Sequence, residues 1–273
     1  MKERPNSTRR SRQIETQVKA LFLDYDGTIS PLNVSRTESA VLPENMTILR
    51  QISTIIPVAI ITTKDLAFVV ERTPFARAWA GLGGLEIKIN GVVTTEPCVR
   101  KMKPYLRTAL EYAKNLSGND FFIEEKRDST GDVVAFSVDW RHAANKRAAE
   151  EVALKIVTFC ENLPISTIKY KKQPFIDFFP CPVDKGKALL RLKQKLGLRD
   201  GVLYMGDSCV DNVAFEVADF AIGVVHEETP ADLTCDCLVK FRDVAGFLKS
   251  FLENGFRMNQ KNPLVFSRTR VSQ

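Results

Sequence analysis

The sequence predicts an α/β protein whose core is a doubly wound parallel sheet, with a smaller α+β module inserted into it. Short apolar runs without charges, such as Ala20–Leu23 and Gly201–Met205, have the pattern of strands buried on both faces. Segments with helical apolar spacing alternate with these runs, which is typical of a parallel sheet. Residues 105–179 instead follow the order helix, two strands, helix, two strands, which is typical of an antiparallel α+β unit.

The first part of the core is expected to alternate strand and helix. The strand at Ala20–Leu23 is followed by a loop over Pro31–Ser39 and a helix over Pro43–Ser53, where proline suits the first helical turn. A second buried strand, Pro57–Ile61, ends at Thr62-Thr63-Lys64-Asp65, and a further helix is expected after it. Two short strands then surround a glycine turn: Trp79–Gly81 and Leu85–Asn90.

The inserted module and the return to the core follow from the same patterns. The module is predicted to contain two helices and four strands: Tyr105–Leu116, Asp120–Lys126, Val133–Trp140, Ala143–Cys160, Ser166–Lys172 and Phe175–Phe179. The core then resumes with helices and buried strands: Lys185–Leu196, Gly201–Met205, Phe220–Val224, Leu238–Phe241 and Val244–Leu252. A module inserted at this point is placed to act as a cap over the mouth of the sheet.

These patterns divide the chain into four parts. We predict a disordered basic tail over 1–18, a core formed by 19–98 and 181–253, a cap formed by 99–180, and a C-terminal tail over 254–273. The formal charge of +6 is concentrated at the two ends: residues 1–19 carry +4 and residues 254–273 carry +4, so residues 20–253 are slightly acidic. A nucleic-acid-binding face on the body of the protein is therefore not expected. Binding of nucleic acid through the basic tails is the least favoured of the functions considered for this sequence.

Composition favours a globular protein that acts without a membrane. No stretch approaches the roughly 20 apolar residues of a membrane-spanning helix, and the Arg-rich start has no signal-peptide core. We expect a cytoplasmic monomer with a small-molecule partner. The six cysteines lack the paired spacing of a zinc site, and Cys235 and Cys237 are expected to be buried free thiols.

Candidate catalytic residues follow the predicted strands. Asp24 and Asp26 come directly after the first strand, and Gly27 allows the backbone to turn so that both carboxylates reach one pocket. A second acidic loop, with Asp207 and Asp211, follows the strand at Gly201–Met205. Carboxylates at such strand ends suit Mg²⁺, and one of them can attack phosphorus.

The set as a whole fits phosphoryl transfer. Asp24 is the expected nucleophile, and Asp26 the acid that protonates the leaving oxygen and then the base that activates water. Asp24, the backbone carbonyl of Asp26, and Asp207 are expected to hold Mg²⁺, with Asp211 binding the metal or orienting its waters. The remaining two residues, Thr62 and Lys185, are expected to hold the phosphate, and Thr62 can offer both its hydroxyl and its backbone N–H to a phosphate oxygen.

Each of these residues also has a purely structural interpretation. The Asp24 and Asp26 pair could be an acidic turn that caps the next segment, and Thr62 or Thr63 could be a helix N-cap. Lys185 could be a solvated lysine at a helix start, and Asp211 a helix cap. The functional interpretation depends on the joint occurrence of these residues, in one order, at strand ends.

The quoted motifs resemble those of the haloacid-dehalogenase superfamily. The matching segments are Asp-Tyr-Asp-Gly-Thr at 24–28, Thr62, Lys185-Gly186 and Gly-Asp-x-x-x-Asp at 206–211. From about residue 20 to 252 the chain is similar to trehalose-6-phosphate phosphatases. That similarity rests on further segments: Trp79–Glu86, Ile123–Lys126, Asp139-Trp140-Arg141 and Phe175–Pro180.

The resemblance implies a Rossmann-like core with a mobile cap, dependence on Mg²⁺, and hydrolysis of a disaccharide phosphate. It implies that Glu124, Lys126, Arg141 and Asp177 hold sugar hydroxyls, and Thr63 is assigned to substrate binding with them. The chain departs from the family pattern at Gly83, Asp139, Phe179, Thr62-Thr63-Lys64 and Ser208.

Most of these departures fall in substrate-facing segments, so the substrate is less firmly predicted than the reaction. The alternatives are a phosphatase for mannosyl-3-phosphoglycerate or sucrose 6-phosphate, and a non-catalytic regulator that binds a sugar phosphate.

Overall fold

A computed structural model describes residues 15–116, 121–170, 173–226 and 232–259. Its main feature is an eight-stranded sheet, which is preceded by the short strand β1 (Glu15–Gln17). The strands of the large sheet are β2 (Ala20–Leu23), β3 (Val58–Ile61), β4 (Ala78–Gly81), β5 (Glu86–Ile89), β6 (Val92–Thr95), β11 (Val202–Gly206), β12 (Phe220–Val225) and β13 (Cys237–Lys240). Their order across the sheet is β13-β12-β11-β2-β3-β4-β5-β6.

The pairing of these strands confirms the predicted α/β class. All neighbours from β13 to β4 pair in parallel, whereas β5 and β6 pair antiparallel at one edge. The edge strand β6 was not predicted, because its half-exposed residues form no apolar run. The signal that sequence analysis missed is the dipeptide Asn90-Gly91, both in the left-handed region, which is typical of a two-residue hairpin turn.

Helices cover both faces of the large sheet. On one face, α1 (Pro43–Ser53), α2 (Leu66–Arg72) and α7 (Val244–Glu253) pack on residues such as Leu21 and Met205. On the other, α5 (Lys185–Lys195) and α6 (Asn212–Phe215) pack on alternate residues of the same strands. Burial on both faces explains why the strands are continuous apolar runs.

The inserted module has its own antiparallel sheet of order β7-β8-β10-β9. Its elements are α3 (Pro97–Leu116), β7 (Phe122–Arg127), β8 (Val133–Asp139), α4 (Lys146–Cys160), β9 (Ser166–Lys169) and β10 (Phe175–Phe179). The two helices pack on one face of this sheet through residues such as Leu106, Ile156 and Phe178. The other face is directed towards the ends of the parallel strands. Asp120, Lys171 and Lys172, which were assigned to strand ends, lie outside the described residues.

Part of each predicted tail is folded. Strand β1 pairs antiparallel with β14 (Arg257–Asn259), and Val18, Phe256 and Met258 are buried. The expectation of disorder therefore does not hold for residues 15–18, because β1 pairs with β14 and the Val18 side chain is buried. Residues 1–14 and 260–273 of the predicted tails lie outside the described part.

A disulfide joins the two crossing points between core and cap. Cys98 lies in the first turn of α3, where the chain enters the cap, and Cys181 follows β10, where it leaves. Their Cα atoms are 6.3 Å apart, and 83 residues separate them in sequence. Cys235 and Cys237 are free as predicted, although they are half-buried. Disulfides are uncommon in reducing compartments, so the bond counts against the expected cytoplasmic location.

No helix within the described ranges is both long and apolar enough to cross a membrane.

Candidate active site

Two acidic loops meet at the centre of the parallel sheet because β2 and β11 are neighbours. Leu23 pairs with Met205, so Asp24 and Asp207 leave the sheet at the same edge. Gly27 has a φ of +72°, and a Cβ atom there would lie 2.1 Å from Asp207 Oδ2. Glycine at this position therefore allows both the turn predicted from the sequence and the close approach of the two loops.

Lys185 forms an ion pair with one carboxylate of each acidic loop. Its Nζ lies 2.9 Å from Asp24 Oδ1 and 2.7 Å from Asp211 Oδ1, and the side chain is only 3% exposed. Burial alone would lower the pKa of Lys185, but Asp211 and Asp24 more than offset it, so this pKa is raised. The alternative of a solvated surface lysine is therefore wrong. A permanently charged ammonium group is held beside the proposed nucleophile.

Asp211 is fully engaged with protein groups. Besides Lys185 it accepts hydrogen bonds from the Tyr204 hydroxyl at 2.5 Å and from the backbone and hydroxyl of Ser208 at 3.0 and 2.9 Å. It also forms a capping box with Ser208, so the structural interpretation of Asp211 as a cap is confirmed. Its clearest role is to fix Lys185 and the loop that carries Asp207.

The acids at this edge of the sheet fit a divalent cation. Asp24, Asp207 and Asp211 each offer an oxygen, and these three atoms lie within 4.8 Å of one another. Burial raises the pKa of Asp24 from 3.8 to about 7, even though Lys185 opposes this. Burial, Asp24 and Asp211 raise the pKa of Asp207 well above its usual value. Mg²⁺ binds carboxylate oxygens, and its positive charge would favour the ionised form of these crowded acids.

We expect Mg²⁺ to stabilise the protein in a pH-dependent way. Because the pKa of Asp24 is raised from 3.8 to about 7, the metal-free protein should lose stability as pH rises from about 4 to 7. Mg²⁺ at about 100 times its Kd should then raise Tm by roughly 5 °C or more at pH 7.5, and by less at pH 5. Thermal unfolding at matched ionic strength measures this. The Asp207→Asn variant should lose the effect, and an equal shift at both pH values would contradict the interpretation.

Asp26 differs from Asp24 in its surroundings. Its side chain is 30% exposed, accepts a hydrogen bond of 3.3 Å from the Ser39 hydroxyl, and lies 3.7 Å from Lys64 Nζ. It lines the same cavity as Asp24 but carries no direct ion pair to Lys185 within the described chain. The Asp24 carboxylate is thus buried beside other acids, whereas the Asp26 carboxylate faces the cavity next to Lys64.

The loop after β3 places Thr62 differently from expectation. Its backbone N–H donates to Ala80 O at 2.9 Å and is therefore not available to a phosphate, contrary to the prediction. The hydroxyl accepts from Lys64 N at 3.2 Å and keeps its own proton to donate. Neither Thr62 nor Thr63 caps α2, because the carboxylate of Asp65 accepts from Phe68 N at 2.9 Å. Thr63 lines the cavity.

The cap supplies a second group of charged residues. Glu124 bonds to two core cations, Lys64 at 3.1 Å and Arg36 at 2.6 Å. Burial would raise the pKa of Glu124, but Lys64, Lys126 and Arg36 lower it to about 2, so it is ionised. Arg141 donates to Leu32 O of the core at 2.8 Å. These contacts hold the cap closed over the acidic loops.

Lys126 and Asp177 form a buried pair within the cap. Their charged atoms are 2.8 Å apart, and both side chains are 3% exposed. Asp177 also accepts hydrogen bonds from Ser137 and from the Tyr170 hydroxyl, the latter at 2.7 Å. The ion pair and these hydrogen bonds offset the cost of burying the charges of Lys126 and Asp177. They also hold both side chains in fixed positions at the cavity wall.

A cavity of about 670 Å³ lies between cap and core and brings the predicted residues together. Of the eleven predicted residues, all except Thr62 and Asp211 line it; the nine are Asp24, Asp26, Thr63, Glu124, Lys126, Arg141, Asp177, Lys185 and Asp207. Sequence reasoning did not find Arg36 or Tyr170, which also line it. Arg36 lies in a loop with no periodic pattern, and Tyr170 gains its position only through strand pairing, so neither gave a signal.

Two of the departures from the family pattern do not face the cavity. A Cβ atom at Gly83 would lie 2.5 Å from Val183 Cβ, so a larger residue does not fit there. Phe179 is buried below Lys126, whose Nζ lies 5.0 Å from the ring centroid. Asp139, which pairs with Arg141 at 2.7 Å, lines the cavity, as do Thr63, Lys64 and Ser208. The departures at Gly83 and Phe179 thus change packing, whereas the four that line the cavity change its surface.

Comparisons with known proteins agree with this geometry. No family model matches the chain. It is 27% identical over 258 residues to "Probable trehalose-phosphate phosphatase 2" of Oryza sativa subsp. japonica, covering 83% of this chain and 65% of that protein. It is 26% identical over 209 residues to "Trehalose-phosphate phosphatase" of Mycobacterium bovis (strain BCG / Pasteur 1173P2), covering 72% and 51%. The chain thus spans between half and two thirds of the length of these relatives.

Solved structures share the fold at low identity. The C-terminal domain of C. albicans trehalose-6-phosphate phosphatase superposes with a TM-score of 0.71 at 18% identity, covering 87% of this chain and 93% of that one. A haloacid dehalogenase-like hydrolase from Bacteroides thetaiotaomicron superposes with a TM-score of 0.62 at 15% identity, covering 86% and 100%. The fold is that of the haloacid-dehalogenase-like hydrolases. The two sequence relatives described above are named as a probable trehalose-phosphate phosphatase and a trehalose-phosphate phosphatase.

Proposed function

We propose that the chain is a Mg²⁺-dependent phosphatase that hydrolyses a sugar phosphate, with trehalose 6-phosphate the first substrate to test. The observation that carries the proposal is the pairing of two unlike carboxylates at one cavity. Asp24 is buried against Lys185 and the other acids, whereas Asp26 faces the cavity beside Lys64. Two carboxylates in different surroundings suit the separate roles of nucleophile and acid–base group.

The reaction would proceed in two balanced steps. A carboxylate oxygen of Asp24 attacks phosphorus in line, the bond from phosphorus to the sugar oxygen breaks, and Asp26 gives its proton to that oxygen. The sugar leaves and an aspartyl-phosphate remains. Asp26 then takes a proton from water, the water oxygen attacks phosphorus, and the bond to Asp24 breaks to release inorganic phosphate.

Other residues would hold the reacting groups. Lys185 and the hydroxyl of Thr62 would donate to phosphate oxygens, and Asp211 would keep Lys185 in place through its 2.7 Å contact. Asp24, the backbone carbonyl of Asp26, and Asp207 would hold Mg²⁺, which when bound offsets the charge of the carboxylates and the phosphate. The closed cap would keep bulk water away during the first step, in which Asp24 attacks phosphorus.

The charges of the cavity favour a neutral sugar. The described lining contains five cations (Arg36, Lys64, Lys126, Arg141, Lys185) and six carboxylates (Asp24, Asp26, Glu124, Asp139, Asp177, Asp207). Each of these cations is paired with at least one carboxylate. A substrate with an extra carboxylate, such as mannosyl-3-phosphoglycerate, would lack a counter-charge, and its burial would be costly. Trehalose 6-phosphate and sucrose 6-phosphate carry no carboxylate.

A phosphate-release assay with Mg²⁺ across sugar phosphates tests the proposal. We expect kcat/KM for trehalose 6-phosphate to exceed that for mannosyl-3-phosphoglycerate by about 100-fold, since an unpaired buried charge discriminates strongly. The comparison with sucrose 6-phosphate decides between the two neutral disaccharides. Tight binding without turnover of any sugar phosphate would replace the proposal with the regulator hypothesis.

A further inference from the structure

The cavity-facing side of the cap sheet is arranged in two rows that run across the strands. In the first row, Glu124 of β7 and Asp177 of β10 both lie opposite Ser137 of β8. In the second, Phe122 and Phe175 both lie opposite Asp139. The rows are two residues apart along each strand, which corresponds to about 7 Å, close to the length of one hexose ring.

The first row adjoins the catalytic edge of the core. Glu124 lies 3.1 Å from Lys64 Nζ, and the same Nζ lies 3.7 Å from Asp26. The second row lies further along β8 in the direction of Arg141, which contacts the core at Leu32. A phosphorylated sugar ring held at the first row would therefore extend towards the second.

Three aromatic side chains dominate the second row. Tyr170 follows β9 and lies beside Phe175, with their ring centroids 4.5 Å apart. Phe122 stands on the other side of Asp139 and is 60% exposed, although it is a large apolar residue. We call Phe122, Tyr170 and Phe175 the aromatic row. All three line the cavity.

Polar and charged groups contact two members of the aromatic row, Tyr170 and Phe175. The Tyr170 hydroxyl donates to Asp177 at 2.7 Å, and the guanidinium of Arg141 lies 5.5 Å from the Phe175 ring centroid. Burial, followed by the charge of Asp177, raises the pKa of Tyr170 well above its usual value, so the hydroxyl keeps its proton. The row is thus an apolar surface bordered by hydrogen-bonding groups.

We propose that the aromatic row binds the second hexose ring of the substrate, the ring that does not carry the phosphate. A pyranose has an apolar C–H face, which suits contact with aromatic rings, and equatorial hydroxyls, which suit the charged groups at the edge of the row. Asp139 and Arg141 lie between and beside the aromatic rings and would receive those hydroxyls. This inference rests on the proposed function and makes the enzyme specific for disaccharide phosphates.

Kinetics with two substrates test the assignment. In Phe122→Ser and Phe175→Leu, kcat/KM for trehalose 6-phosphate should fall about tenfold or more, mainly through KM. For glucose 6-phosphate, which has no second ring, kcat/KM should stay within about twofold of the wild-type value. Tyr105→Ser removes an exposed aromatic residue from α3, outside the cavity, and should change neither value. An equal loss for both substrates, or none, would overturn the assignment.

A binding measurement separates this inference from the proposed function. In an NMR saturation-transfer experiment with added trehalose, saturation of the aromatic protons of the wild-type protein should transfer to the C–H protons of trehalose. The transfer should be lost in Phe122→Ser and kept in Tyr105→Ser. Absence of transfer in the wild type would overturn the aromatic row as a sugar site, whatever the hydrolysis results. Absence of phosphate release from every sugar phosphate, with transfer intact, would instead overturn only the proposed phosphatase activity.

Discussion

Asp24→Asn is expected to lower phosphate release at least about 1000-fold while the protein remains folded. An amide oxygen is a poor nucleophile and cannot form the aspartyl-phosphate. The cap contacts and the pair between Lys185 and Asp211 do not involve Asp24, so the structure should persist. Steady-state phosphate release and circular dichroism measure the two parts of this prediction.

The same variant should gain stability at pH 7.5 without metal. Burial raises the pKa of Asp24 to about 7, which means that the charged form is unfavourable in the folded protein, and the neutral amide avoids this cost. Asp200→Asn changes an exposed acid on the surface and serves as the control. Activity within about tenfold of wild type in Asp24→Asn would show that the nucleophile is another group.

Loss of the disulfide should be the largest effect on stability. The bond closes a loop of 83 residues that contains the whole cap, and such a cross-link contributes about 4 kcal/mol by restricting the unfolded chain. Cys98→Ser, or a reductant acting on the wild type, should therefore lower Tm by roughly 10 °C. Differential scanning calorimetry with and without reductant measures this.

Two controls make the disulfide result specific. Cys209→Ser removes an exposed free thiol and should leave Tm unchanged. A reductant should have no further effect on Cys98→Ser, because the bond is already absent. A wild-type Tm that does not respond to reductant would show that the bond between Cys98 and Cys181 does not form in solution or does not stabilise the fold.

The sequence was sufficient to predict the core because its signals are local. The buried runs at 20–23 and 202–206 have no polar residue, so their place inside a sheet covered on both faces could be inferred directly. The acidic loops follow those runs, and parallel pairing brings their ends together. The joint position of Asp24 and Asp207 thus follows from strand order alone.

What the sequence could not predict depends on contacts between distant residues. The bond between Cys98 and Cys181 spans 83 residues and has no local pattern. The backbone N–H of Thr62 was assigned to a phosphate, but pairing with β4 uses it. Arg36 and Tyr170 reach the cavity through the closure of the cap and the pairing of β9 with β10. Each of these features requires knowledge of which segments meet.

The central claim, that Asp24 receives the phosphoryl group, is tested most directly by acid quenching. The protein is mixed with trehalose 6-phosphate labelled in the phosphate and Mg²⁺, and quenched during turnover. Label should be found on the peptide that contains residues 20–28, and hydroxylamine should remove it, as expected of an acyl phosphate. Turnover without label on that peptide, or label that persists in Asp24→Asn, would contradict the account.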